Sequence, residues 1–113
     1  MHSYRVSRMA EDIARELSVI MRGLKDPRIT PMTGIVKVDL SGDLSHCKIY
    51  VSCIEGMDAA KKSAEGLQSA AGFIKRELFS KLDVRKCPDL KFIADDSIAQ
   101  SAEISKMIDE VNG

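Results

Sequence analysis

Three cysteines, two histidines and one pair of adjacent aspartates are the side chains in this chain best suited to covalent, metal or acid–base chemistry. Cys47, Cys53 and Cys87 form no CxxC and no metal-ligand spacing. Cys47 and Cys53 stand at even separation in an apolar run, where cysteine behaves as a small hydrophobe. Cys87 follows Lys86, and a neighbouring cation can lower a thiol's pKa, but no histidine is placed to act as its base. His2 lies at the N-terminus and His46 opens a strand pattern, so the two make no zinc site. Asp95-Asp96 precedes a helical pattern, where such residues are ordinarily caps. Gly-rich phosphate loops of the Walker or dinucleotide type are absent. The expectation is a protein that is not an enzyme and needs neither metal nor cofactor.

Phosphate recognition by lysine and arginine is the chemistry that remains. The formal net charge is zero, but its distribution is uneven. Residues 1–28 carry six Lys/Arg against four Asp/Glu, and residues 61–91 carry eight against four. Residues 29–60 hold two against four and residues 92–113 one against five. Local potential rather than the sum steers a polyanion, so a neutral chain can still present a basic face. The candidates are Lys61, Lys62, Lys75, Arg76, Lys81, Arg85 and Lys86. Such contacts position a protein on folded RNA without reading its sequence.

Amphipathic elements must hold these cations. From Val6 to Leu24, the residues Val6, Met9, Ala10, Ile13, Leu17, Ile20, Met21 and Leu24 recur at spacings of three and four. They form the apolar stripe of a helix, with Arg5, Arg8, Arg15 and Arg22 off it. Ser3 suits its N-cap, and Gly23 with Pro27 marks its end. Two half-buried strands follow. Val36, Val38 and Leu40 alternate in Gly34–Leu40, and Cys47, Ile49, Val51 and Cys53 alternate in Cys47–Ile54. The Ser41-Gly42-Asp43 turn between them predicts an antiparallel hairpin. Asp58 is placed to cap a second helix to about Ala70, and Phe73–Leu82 continues helically past a kink at Gly72. Leu90, Phe92 and Ala94 make a third strand, and Asp95-Asp96-Ser97 can cap a last helix carrying Ile98 to Val111.

The expected class is α+β: one domain over 1–113, with a three-stranded mixed sheet packed by helices on one face. At 113 residues there is material for one modest core. The apolar runs are too short to cross a membrane, the N-terminus lacks a signal-peptide pattern and the odd cysteine count fits a reducing compartment, so a cytoplasmic protein is expected, with a monomer as the default. The order helix-strand-strand-helix-kink-helix-strand is that of a type II KH domain, which clamps RNA through a GxxG loop. No GxxG is present; Ala70-Ala71-Gly72 stands in its place. Phe73, Phe79 and Phe92 occupy apolar positions and read as core, leaving outward-facing Tyr50 as the candidate stacking aromatic.

From about Arg5 to Ile108 the chain resembles the bacterial ribosome-binding factor A family. The resemblance is carried by Arg5-Val6 to Glu16-Leu17, Leu24-Lys25-Asp26-Pro27-Arg28, Asp43-Leu44-Ser45-His46-Cys47-Lys48-Ile49-Tyr50-Val51, Ala70-Ala71-Gly72-Phe73-Ile74-Lys75-Arg76, and Arg85, Pro88, Leu90, Phe92, Asp95 and Ser97. It implies a KH-like fold and binding to the small (30S) ribosomal subunit and its 16S rRNA during late maturation and rRNA processing, with support for growth in the cold. An assembly GTPase or a ribosomal protein is the alternative partner. Asp26 and Pro27 would shape a loop beside the RNA and Arg28 would reach a phosphate, unless Arg28 and Arg85 are held by Asp26 or Asp95 in loop-fixing salt bridges. Ala70 and Gly72 would set the kink, and Lys75, Arg76, Arg85 and Lys86 would supply charge, with Arg5, Arg8, Arg22 and Lys25 as secondary contacts. Two departures stand out: the acidic final segment ends without the basic tail common in relatives, and Gly42 replaces a proline or basic residue, which predicts a looser turn.

Overall fold

The computed structural model describes residues 4–82, 87–98 and 100. Its elements are α1 (Tyr4–Gly23), β1 (Thr33–Leu40), β2 (His46–Cys53), α2 (Met57–Ser69), α3 (Ala71–Leu82) and β3 (Asp89–Asp95). The strands form one mixed sheet in the order β1-β2-β3, β1 antiparallel and β3 parallel to β2. This is the expected α+β architecture. The proposed Ser3 cap and all of the last helix beyond Gln100 lie outside the described residues.

The apolar periodicities assemble the core. Val6, Ile13, Leu17, Ile20 and Met21 are the buried residues of α1. They pack against the inner sheet face of Leu40, Cys47, Ile49, Val51, Leu90 and Phe92, and Leu67, Ile74, Leu78 and Phe79 complete the cluster from α2 and α3. Facing residues match in register: Ile49 lies opposite Val38 on one side and Phe92 on the other. Each fully buried aliphatic side chain here contributes about 1.5–3 kcal/mol.

Several local expectations are corrected. Alternation puts Val36 on the core face, but the β1–β2 register shifts between Ile35 and Lys37, and Val36 is left 40% exposed. Ile35 takes the inward position opposite Val51 instead. A bulge of this kind adds one residue and breaks a period of two. Asp58 does not cap α2. The cap position belongs to Gly56, whose φ of 112° suits glycine, and Asp58 lies in the first turn, where a carboxylate favours the helix dipole. The helix pair breaks at Ala70 (φ −92°, ψ 7°), and Gly72 sits inside α3.

The hairpin turn is closed rather than loose. Asp43 Oδ1 accepts hydrogen bonds from the Ser41 hydroxyl and from the Ser45 amide and hydroxyl, and Ser41 Oγ accepts from the His46 amide. Leu44 supplies the positive φ, 61°, so Gly42 is not what closes the turn. Beyond β3 the chain crosses to the outer sheet face. Asp95 caps the turn that follows by accepting from Ser97, and the Ile98 amide donates to Ser52 Oγ at 3.1 Å. That contact buries Ser52 completely on a face expected to be solvated.

Candidate nucleic-acid interface

Pro27 keeps Asp26 out of helical geometry, so the chain leaves α1 into a loop whose polar backbone groups must find partners outside a helical ladder. Asp26 folds the loop locally. Its carboxylate accepts from the Arg28 amide at 2.9 Å and from the Arg28 guanidinium, with Nη2 at 2.7 Å. The guanidinium holds the Asp26 carboxyl below the usual carboxylate range, and Asp26 in turn raises the pKa of Arg28. Of the two readings open for Arg28, the structure shows the internal pair. Its side chain remains 44% exposed.

Further on, the loop is fastened to α2 by hydroxyls. Ser63, fully buried, donates to the Arg28 carbonyl at 3.3 Å and lies 2.8 Å from Thr33 Oγ1. The Thr30 amide also reaches Ser63 Oγ, at 3.4 Å. Thr30 Oγ1 donates to Glu55 at 2.6 Å, and with the Cys53 thiol this holds the Glu55 carboxyl below its ordinary range. One turn along α2, Gly66 lets Ile29 and Arg28 approach. A Cβ there would come within 2.9 Å of Ile29 Cγ1 and 3.3 Å of Arg28 Cβ and Asp26 Oδ2. Gly66 and Ser63 are the residues that sequence reasoning missed. A signal for Gly66 is present, because a glycine inside a helix often marks a close backbone approach. Gly72, also inside a helix, marks no such approach, since a Cβ there would meet nothing within 4 Å.

The expected RNA-contacting cations fall into three groups. Arg5, Arg8, Arg22, Lys25, Lys61, Lys62 and Arg76 are exposed and have no ion-pair partner among the described residues. Arg5, Arg8 and Arg22, together with Arg15, line the solvent side of α1 opposite its buried stripe, and Arg15 pairs with Asp12 at 3.2 Å. The second group is held internally: Arg28 by Asp26, Lys75 by Asp89 at 3.0 Å and Lys81 near Glu16 at 3.9 Å. Lys75 also holds the Asp89 carboxyl low. The third group, Arg85 and Lys86, lies outside the described residues.

The residues suited to other chemistry are dispersed. Cys47 and Cys53 are buried, and burial pushes the Cys47 thiol up to about 11, which keeps it protonated. Cys87 is exposed. Among the described residues, no three His, Cys, Asp or Glu side chains gather closely enough to hold a metal ion, and no helix is long and apolar enough to cross a membrane. Tyr50 is half-buried, with Lys37 Nζ 5.8 Å from its ring centroid. Phe79 and Phe92 are core, as expected, but Phe73 is 45% exposed on α3.

Over residues 5–108 the chain matches the family model described as ribosome-binding factor A. The chain belongs to the ribosome-binding factor A family. It is 40% identical over 111 residues to ribosome-binding factor A of Lachnospira eligens, covering 97% of this chain and 85% of that one. With the protein of that name from Agathobacter rectalis it shares 44% identity over 105 residues, covering 92% and 87%. The solution structure of a Thermotoga maritima protein described as a putative ribosome binding factor A superposes with a TM-score of 0.74 at 27% identity, over 84% of this chain and 91% of that one. The crystal structure of ribosome-binding factor A from Thermus thermophilus gives 0.70 at 22% identity, over 79% and 93%, and supports the fold alone. A homology model of the T. thermophilus factor, fitted into a cryo-EM map of its complex with the 30S subunit, gives 0.58 at 23% identity over 80% and 91%.

Proposed function

We propose that this protein is a ribosome-binding factor for the small ribosomal subunit, binding free 30S subunits through 16S rRNA and aiding late rRNA processing without catalysing a reaction. The family match over 5–108 carries the reading. A structure of one relative, the T. thermophilus factor, is described as a complex with the 30S subunit, in keeping with it. The exposed cations without an ion-pair partner among the described residues supply the physical means. Each phosphate they neutralise releases counterions and adds about 0.7–0.9 to the slope of log K against log salt. Arg5, Arg8, Arg22, Lys25, Lys61, Lys62 and Arg76 are the first contacts in this scheme. Arg28, Lys75 and Lys81 engage RNA only by exchanging an internal carboxylate for a phosphate, and Arg85 and Lys86 add charge before β3. The protein acts on a KH-like scaffold as a cytoplasmic monomer, stabilising one arrangement of the rRNA and then leaving.

A second reading has one observation of its own. Met32, Ile54 and Met57 are exposed beside the Thr33–Cys53 end of the hairpin. Apolar side chains gathered there suit a protein partner, an assembly GTPase or a ribosomal protein. Co-sedimentation with small subunits, large subunits and intact ribosomes at low and moderate salt separates the readings. Salt-sensitive recovery with free small subunits alone is expected. No association at low salt would overturn the ribosomal reading and leave the protein partner.

A further inference from the structure

We infer that Phe73 and Arg76 form a seat for one unpaired RNA nucleotide, its base lying on the Phe73 ring and its phosphate on the Arg76 guanidinium. This inference rests on the ribosomal reading above and adds a specific contact to it. Phe79 and Phe92 are each 7% exposed and belong to the core, whereas Phe73 is 45% exposed. Residues three apart on a helix are surface neighbours, so Phe73 and Arg76 lie side by side on α3. The side chains leading up to the ring are small: Ser69, Ala70, Ala71 and Gly72. A Cβ added at Gly72 would meet nothing within 4 Å, so the helix surface is open at the residue before the ring.

Arg76 is exposed and has no ion-pair partner among the described residues, while the adjacent Lys75 is committed to Asp89. An aromatic face beside a free guanidinium suits a single-stranded nucleotide, because every base can stack and every nucleotide carries a phosphate. A base within a duplex has both faces covered and cannot use the ring. The seat therefore selects for unpaired rRNA rather than for sequence. A single exposed ring beside a cation matches this better than a protein contact, which calls for a contiguous apolar patch.

The test uses the full chain and free small subunits. Stacking on a single aromatic sets the expected loss for Phe73→Leu at roughly tenfold in affinity, with an unchanged salt slope. Phe73→Tyr should restore binding, and Arg76→Ala should lower the slope by about one. The chain contains no tryptophan, so Phe73→Trp is a unique reporter. Its fluorescence should be quenched when subunits are added, as stacking on a base requires. Unchanged affinity in Phe73→Leu, while the parent binds, overturns the seat and leaves the ribosomal reading intact. A blue shift and gain in F73W emission would assign the ring to a protein surface and also overturn the seat. Failure of the parent chain itself to bind overturns both readings.

Discussion

The 26–33 loop and the α2–α3 elbow both join a glycine to a nearby arginine, yet they are built in opposite ways. At the loop, Gly66 receives Ile29, Ser63 bonds the backbone, and Arg28 is clamped by Asp26. At the elbow, a Cβ on Gly72 would meet nothing within 4 Å, Phe73 is exposed and Arg76 is unpaired among the described residues. The first site is finished without a ligand. The second has polar and aromatic capacity that the described residues leave unused. A motif that looks functional in sequence, such as Asp-Pro-Arg, can be spent on shaping a loop, while a plain helical segment keeps the free chemistry.

Substitutions at the two glycines give the sharpest contrast. Gly66→Val should destabilise the fold by about 3 kcal/mol, because overpacking forces Ile29 and the loop backbone to shift. Thermal unfolding should show a midpoint lower by roughly 10 °C or more. An unchanged midpoint would mean that the loop has another way to seat. Ser63→Ala comes next, at about 1–2 kcal/mol, since the Thr30 amide and Arg28 carbonyl lose their shared partner. Chemical denaturation would measure it as a lower midpoint at constant slope.

Binding separates the arginines more gently. Arg76→Ala should weaken small-subunit binding by several-fold, and Arg28→Ala by less, because Arg28 must first leave Asp26. Equal losses in a salt titration would erase the distinction between closed and open sites. Gly72→Ala should stabilise the protein by up to about 1 kcal/mol, since the position is helical and open. A destabilised Gly72→Ala variant would restore the kink to that residue.

Acid gives the smallest effect. The carboxyl of Asp26 is held below 3.8 in the folded chain, so the stability it provides is full above that value and is lost as pH falls through the lower folded value. Arg28→Ala should reduce that pH dependence of the unfolding midpoint below about pH 4 without abolishing it, because the residue 28 amide still donates to Asp26.

Much of this fold can be read from the sequence because burial imposes a period. The four inward residues of β2 alternate without interruption, and all are buried, as is the seven-residue repeat of Val6, Ile13 and Ile20 along α1. Val36 defeats that reading, since a one-residue bulge resets the alternation and leaves no local mark on the sequence. Ser52 defeats it because its cover arrives from Ile98, 46 residues later. Residue type alone puts Phe73 in the core, yet the helical spacing of Leu67, Ile74 and Leu78 already places it off the buried stripe. At the interface, the identity of the cations is legible. Which of them are neutralised is not, because Asp89 meets Lys75 and Glu16 approaches Lys81 only through tertiary packing.

The side-chain amide of Gln68 accepts from the Phe92 amide at 3.0 Å and donates to the Leu90 carbonyl at 3.2 Å. Leu90 and Phe92 lie on β3, an edge of the sheet. An open edge strand is a template on which another chain can add its own strand. One glutamine on α2 imitates that missing strand and occupies its central donor and acceptor. That pairing blunts this edge against the addition of a further strand, a matter of self-association separate from any contact with RNA.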